Sequence, residues 1–342
     1  MNLKERIETF TELGSRLRIT IENNGAGGNE RLFESINSQQ FKNAWFTPSN
    51  VKEAIKIVGA TLTFENLSKW TEMYPELNSE RKPYITGVIM AGNIPLVGFH
   101  DFISVLISGN HLSAKTSSKD SDLIIQVSDL LCTINPRFRD MISFTDGSLK
   151  GFDAVIATGS NNTSRYFEYY FSKYPHIIRR NRNSIAILNG SETDKEIEGL
   201  GKDIFTYFGL GCRNVSKIFI PEDYDLKNLL KKWDTFSDVI YNNKYANNYD
   251  YNKAIYLVNK EKFLDSGYLL LKEERGISSP VSVLFYEYYT DYGNLMQYID
   301  SMKDNIQCIV ACEAVPFGKA QQPELWDYAD GIDTIEFLLK KN

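Results

Sequence analysis

Phe208-Gly209-Leu210-Gly211-Cys212-Arg213-Asn214 sets a cysteine on a glycine-rich corner. Glycine leaves backbone room for a substrate to approach, and nearby N–H groups can stabilise a thiolate or an oxyanion, so Cys212 is a candidate covalent nucleophile. The competing use is a structural cysteine buried in a loop. A second candidate is Asn93 in Val88-Ile89-Met90-Ala91-Gly92-Asn93-Ile94-Pro95-Leu96, where an apolar run enters Gly-Asn-X-Pro and then a helical stretch. At the carboxyl end of a strand its amide can donate to a developing oxyanion, although asparagine is also an ordinary turn residue. In His111-Leu112-Ser113-Ala114-Lys115-Thr116-Ser117-Ser118, Lys115 and Ser117 stand where a dinucleotide's ribose or 2′-phosphate would be met, or where a solvated lysine flanks a helix cap. Gly159 and Ser160, in Ala157-Thr158-Gly159-Ser160-Asn161, form a strand end entering a helix, whose free N–H groups suit a pyrophosphate; a full G-x-G-x-x-G is lacking.

These residues need a scaffold of alternating strands and helices. The first 80 residues read as helical: Leu3, Ile7, Phe10, Leu13 and Leu17 share one helix face, and Thr47-Pro48 is an N-cap followed by a first-turn proline. From residue 84 the pattern predicts strands at 84–90, 111–115 and 153–158, with helices at 97–108, 120–132 and 164–174, the order of an α/β nucleotide-binding domain. The alternation restarts with a strand at 184–188. It continues with a helix at 193–208, a strand at 217–220 and a helix at 226–233. A Tyr-, Asn- and Asp-rich loop is predicted over 238–252, then strands at 254–258, 268–271, 281–286 and 306–311, with a helix at 292–302. The expected domains are therefore 1–183, helical and then Rossmann-like, and 184–314, an α/β domain carrying Cys212. A C-terminal segment, 315–342, is open to returning to the first domain.

At 342 residues, 42% hydrophobic and 24% charged, the chain can bury a core without staples. Its net charge of −6 argues against a nucleic-acid partner. No apolar run is long enough to span a bilayer, and no signal-peptide core precedes the first helix, so the expected location is cytoplasmic and away from membranes. The four cysteines, at 132, 212, 308 and 312, have no zinc spacing. No metal is expected, and Cys132, Cys308 and Cys312 are expected in the core, with a redox pair of Cys308 and Cys312 as the alternative.

In this order the motifs resemble the aldehyde dehydrogenase superfamily, specifically its acyl-CoA reductase branch, typified by the fatty acyl-CoA reductase of bacterial luminescence. The resemblance runs from about residue 40 to the C-terminus. It rests on Gly92-Asn93-Ile94-Pro95, Ser108-Gly109-Asn110 with Lys115, Thr158-Gly159-Ser160, and Gly211-Cys212 followed by Lys217-Ile218-Phe219-Ile220; Pro316-Phe317-Gly318-Lys319-Ala320 and Asp330-Gly331 match more loosely. It implies two α/β domains with parallel sheets and a cofactor and substrate cleft between them. It also implies Cys212 as nucleophile with Asn93 at the oxyanion, and Lys115, Ser117, Gly159, Ser160 and Arg180 toward the cofactor. The superfamily's habit of dimers and tetramers points to a homo-oligomer, and the luminescence complexes point to a protein partner that supplies acyl groups.

Two departures bear on the reaction. Oxidative aldehyde dehydrogenases carry a glutamate in a Glu-Leu-Gly-Gly segment that activates hydrolytic water, whereas the corresponding stretch here is His176-Ile177-Ile178-Arg179-Arg180-Asn181-Arg182. Without that base the acyl-enzyme should hydrolyse poorly, favouring exchange with coenzyme A. The implied reaction is NADPH-dependent reduction of an acyl-CoA, fatty acyl in class, to the aldehyde, with coenzyme A as leaving group. Aldehyde oxidation with NAD(P), and a non-reducing acyl-carrying subunit, are the alternatives. His176 is either structural or a proton donor, and Arg179, Arg180 and Arg182 either meet phosphates or form a solvated edge. Secondly, Gly276-Ile277-Ser278-Ser279-Pro280 matches the superfamily's Glu-X-Phe-Gly-Pro only loosely, with Glu274 two positions off register.

Overall fold

In a computed structural model of the protein, which describes residues 1–340, the chain forms two units, 1–180 with 324–340 and 181–323. The first opens with four helices, α1 (Leu3–Glu22), α2 (Glu30–Lys42), α3 (Pro48–Thr61) and α4 (Phe64–Glu72). Asn2 and Glu5 form a capping box at α1, and Thr47 caps α3 ahead of Pro48, so two helix starts are set by local chemistry. The apolar face of α1 buries Phe10, Leu13 and Leu17 completely.

The strands and helices that follow are β1 (Ile85–Ile89), α5 (Phe99–Ile107), β2 (His111–Lys115), α6 (Asp122–Ile134), β3 (Ile142–Thr145), β4 (Ala154–Thr158), α7 (Asn161–Phe171) and β5 (His176–Arg179). All five strands are parallel, in the order β3-β2-β1-β4-β5. From β1 the strands are added first toward β3 and then, from β4, toward the opposite edge, so the turns that leave β1 and β4 flank a topological switch point, the place where open parallel sheets bind ligands.

The second unit contains β6 (Asn183–Ile187), α8 (Asp194–Phe205), β7 (Val215–Pro221), α9 (Leu226–Lys232), α10 (Asn243–Val258), β8 (Leu264–Asp265), β9 (Leu270–Glu273), β10 (Val283–Tyr289), α11 (Tyr292–Ser301) and β11 (Ile306–Val310). Its sheet runs β11-β6-β7-β10-β9-β8 and is parallel except at β8. Apolar clusters cover it, one around Leu188, Leu200, Ile218 and Trp233, another around Ile185, Phe219 and Ile299. The chain then contributes α12 (Thr334–Lys340) to the first unit. There Arg179 donates to Asp101 at 2.6 Å, to the Ala329 carbonyl at 2.7 Å and to Thr334 at 2.9 Å, and Trp70 donates to the Tyr328 hydroxyl at 2.7 Å.

Three expectations need correction. Residues 238–252 are not a loop, nor 254–258 a strand: most of both lies in α10, where Tyr245, Tyr249, Asn252 and Tyr256 recur at helical spacing and are buried. The Asn- and Tyr-rich composition suggested turns, but spacing decides which face is buried. The expected elements lack three strands, β3, β5 and the two-residue β8, because edge strands that are short or partly solvent-facing carry no continuous apolar run. Cys132 is buried and the half-buried Cys308 packs against an apolar cluster, whereas Cys312 is exposed, so the core reading fails for Cys312.

Candidate active site

Asn93 is exposed on the turn leaving β1. Beneath it Gly92 meets the next strand's turn so closely that a Cβ would lie 2.4 Å from Ser117 Oγ and 2.5 Å from its Cβ, so only glycine fits. Leu96, at the other end of the turn, has a left-handed backbone (φ 57°), and its N–H donates to Asp120 Oδ2 at 2.7 Å. Asp120 is 5% exposed, its Oδ1 has no hydrogen-bond partner, and burial pushes its carboxyl up to about 7. A buried carboxylate that the motifs did not single out therefore holds the asparagine turn.

Lys115 ends β2, its carbonyl accepting from Met90 N–H at 3.0 Å. The side chain is half-buried and, among the described residues, makes no ion pair, leaving its charge available to an anion. Ser117 Oγ accepts from Lys119 N–H at 3.3 Å. At the end of β4 the Gly159 N–H donates to the Arg179 carbonyl at 3.2 Å, and Ser160 caps α7, its Oγ accepting from Thr163 N–H at 3.3 Å. The turns after β1, β2 and β4 thus share one end of one sheet. An ammonium, hydroxyls and a helix start gathered there suit a phosphate-bearing dinucleotide. Arg180 is exposed and pairs with Glu168 of α7, so a phosphate would compete with that carboxylate. Arg179 is 4% exposed and bound to Asp101; it is neither a phosphate ligand nor a solvated edge but a tether for the C-terminal segment. His176 is exposed, its Nδ1 2.8 Å from the Tyr174 carbonyl. Arg182, in the second unit, donates to the Ile306 carbonyl at 3.3 Å.

The Cys212 turn belongs to the second unit and precedes β7. Tyr207, Phe208 and Gly209 all have left-handed backbones, φ 55°, 58° and 76°, which reverse the chain sharply after α8. Only the glycine adopts that conformation without strain. Asn214 holds the strained corner. Its amide donates to the carbonyls of Asp203 (3.0 Å), Ile204 (3.3 Å) and Thr206 (2.7 Å) at the end of α8, and its Oδ1 accepts from Gly211 N–H at 2.8 Å. The Cys212 carbonyl accepts from Ser184 Oγ at 3.0 Å, and the Cys212 residue itself is exposed. A cysteine presented to solvent on a turn held by a buried amide is within reach of a substrate, and the position of its backbone is fixed, which is what a covalent nucleophile requires.

Two further buried groups brace this unit. Fully buried Lys217 donates to the carbonyls of Glu274 and Arg275, both at 2.9 Å, and pairs with Glu287, fixing the loop after β9. Glu274 itself points to Lys272 at 3.2 Å. Asp203, on α8, accepts from the N–H groups of Gly318 (2.7 Å) and Ala320 (2.9 Å), binding the Pro316–Ala320 segment; burial raises its carboxyl to about 6. Asp203, Lys217 and Asp120 gave no local signal beyond a charge within an apolar or turn context.

The fold is shared with solved aldehyde dehydrogenases. An oxidoreductase from Marinobacter aquaeolei superposes with TM-score 0.66 at 12% identity, over 92% of this chain and 74% of that one. Aldehyde dehydrogenase 21 from Physcomitrella patens, solved with the product succinate, gives 0.65 at 14%, over 90% and 72%. The NAD+ complex of an aldehyde dehydrogenase from Bacillus cereus gives 0.62 at 12%, over 92% and 72%. No curated protein matches the sequence. The class is thus an α/β protein of aldehyde dehydrogenase fold. Residues 41–232, more than half the chain and including Asn93, Lys115, Gly159 and Cys212, match the acyl-CoA reductase (LuxC) family, and the chain belongs to that family of oxidoreductases. Among the described residues no helix is long and apolar enough to cross a membrane.

Proposed function

We propose that the protein reduces an acyl-CoA, fatty acyl in class, to the aldehyde with NADPH, carrying the acyl group on Cys212 as a thioester. The observation that carries this reading is the exposed Cys212 on a turn locked by Asn214 and Ser184, within the segment that matches the acyl-CoA reductase family. The Cys212 thiolate attacks the thioester carbonyl, and the backbone N–H groups of its turn stabilise the oxyanion. The bond to coenzyme A sulfur then breaks, and coenzyme A leaves as a thiol. Asn93 joins the oxyanion site on the strength of the resemblance and its exposed amide. Lys115, with Ser117, Gly159 and Ser160, would hold the dinucleotide, and the unneutralised Lys115 ammonium fits a 2′-phosphate. The bound nicotinamide supplies the hydride. Cys212 holds the acyl group as the thioester until then, and recovers its thiolate when the thiohemiacetal collapses to aldehyde.

The direction is favoured by what β5 lacks. His176–Arg179 presents no carboxylate to activate water, and its one buried charge, Arg179, is consumed by Asp101. The test is NADPH oxidation over a series of acyl-CoA lengths, with intact-mass detection of acylated protein. Wild type should gain one acyl mass and discharge it on NADPH addition, and Cys212→Ala should do neither. Turnover in that variant would refute the covalent route. Acylation without discharge would mark a non-reducing acyl carrier, and free acid from aldehyde and NAD without coenzyme A would mark an oxidiser.

A further inference from the structure

We propose a second anion site in the first unit, at the end of its sheet opposite the Asn93 turn, built to take a compact polyphosphate. A cavity of about 770 Å³ is lined by Lys4, Arg6, Arg81 and Lys82, with Glu80 the one acidic lining residue. That volume lies within the range of ordinary small-molecule sites. Its walls are the segments that lead into β1 and β2, Ser79–Pro83 and Ser108–Asn110, whereas the candidate cofactor turns leave the far ends of the same strands. Five strand residues separate the two ends, about 16 Å at the usual strand rise.

Arg6 is the unexplained group. It is 6% exposed, and buried charges are normally paired. Yet Arg6 donates only to the carbonyls of Met1 (3.2 Å) and Leu77 (3.3 Å), and its Nε has no partner. Among the described residues no carboxylate lies within ion-pair distance of Arg6, Arg81 or Lys82. The nearest acid in sequence, Glu5, is taken by Arg137 at 2.9 Å. Arg81 stands by as a second guanidinium, held by the Ser108 carbonyl at 2.9 Å. Burial first, and then the like charge of Arg81, pull the Arg6 guanidinium down to about 10, against the weaker opposing pull of the Glu5 carboxylate. The turn is shaped for this arrangement, because a Cβ at Gly109 would lie 2.5 Å from Arg6 Nη1. Two guanidinium forks and the Lys82 ammonium, with Lys4 shared with Glu8 at 3.9 Å and Glu80 the one carboxylate in the lining, make a local positive field that a di- or polyphosphate would neutralise.

Calorimetric titration of the full chain with pyrophosphate tests this, with sodium chloride at matched ionic strength in every run and citrate as a carboxylate comparator. Saturable one-to-one binding is expected, at least tenfold weaker in the Arg81→Ser/Lys82→Ser double variant and unchanged in Lys115→Ser. Arg81 and Lys82 are solvent-accessible, so the double variant should melt with wild type; if it does not, Lys82→Glu alone must still weaken binding at least tenfold. Absence of saturable binding, equal affinity in the double variant, loss in Lys115→Ser instead, or tighter binding of citrate would each overturn the site. None of these outcomes depends on whether the protein reduces acyl-CoA.

Discussion

The turn that carries Cys212 hangs on an amide, and the turn that carries Asn93 hangs on a carboxylate. Asn214 uses both ends of its side chain in four hydrogen bonds, is neutral at every working pH, and ties its turn to the end of a helix. The Asp120 carboxylate accepts one hydrogen bond, from a strained leucine, and leaves its second oxygen buried without a partner. An amide that is fully satisfied gives a rigid support insensitive to pH. A carboxylate buried at half capacity gives a support whose charge state changes near neutrality.

The largest effect should come from titrating that carboxylate. Asp120 has its folded pKa raised to about 7, above the ordinary aspartate value, so the folded state binds the extra proton and stability falls as pH rises from about 4 to 7, then levels. A shift of this size corresponds to on the order of 4 kcal/mol. Melting temperatures across that range should therefore decline for wild type and decline much less for Asp120→Asn, whose remaining slope, from Asp203, should end near pH 6. An unchanged slope in Asp120→Asn would remove the contrast between the two turns.

Asn214→Ala should come next. It strands a buried N–H and three helix-end carbonyls, for a loss of about 3 kcal/mol that does not vary between pH 5 and 8. Denaturant unfolding followed by alkylation of Cys212 would read both the stability and the relaxation of the turn. Gly92→Ala should cost about 2 kcal/mol by driving a methyl into Ser117, and Ser117→Gly in the same chain should recover most of it. Additive losses would mean that the two turns do not touch as described. Ser184→Ala, the smallest, should cost about 1 kcal/mol and change the alkylation rate of Cys212 by a few-fold, since it frees one carbonyl of the turn. No change in that rate would leave Asn214 as the sole support.

Much of the site was legible because its pieces are local. A glycine-flanked cysteine, Gly-Asn-X-Pro after an apolar run, and a serine opening a helix each announce a turn from the neighbouring residues alone. The supports are not local. Asn214 lies within the same heptapeptide as Cys212, yet its partners are carbonyls eight to eleven residues back, reached only because three left-handed residues fold the chain over. Asp120 follows Leu96 by 24 residues and meets it only because β1 and β2 align Ile89 with Lys115. Helix α10 departs from the expected loop for a related reason: its buried stripe is made of tyrosines and an asparagine, residues whose composition suggests a loop and whose spacing does not.

Residue types and their short spacing determined which turns could do chemistry, where helices start, and that parallel βα units would carry them, since capping, backbone freedom and hydrophobic period act over a few residues. Only the folded chain decided that Arg179 is a tether and not a phosphate ligand, that Arg6 is a buried cation with no ion pair among the described residues, and that an aspartate and an asparagine hold the two turns. Burial and partnership set the state of a charge, and both depend on segments 24 to 155 residues apart arriving at the same place.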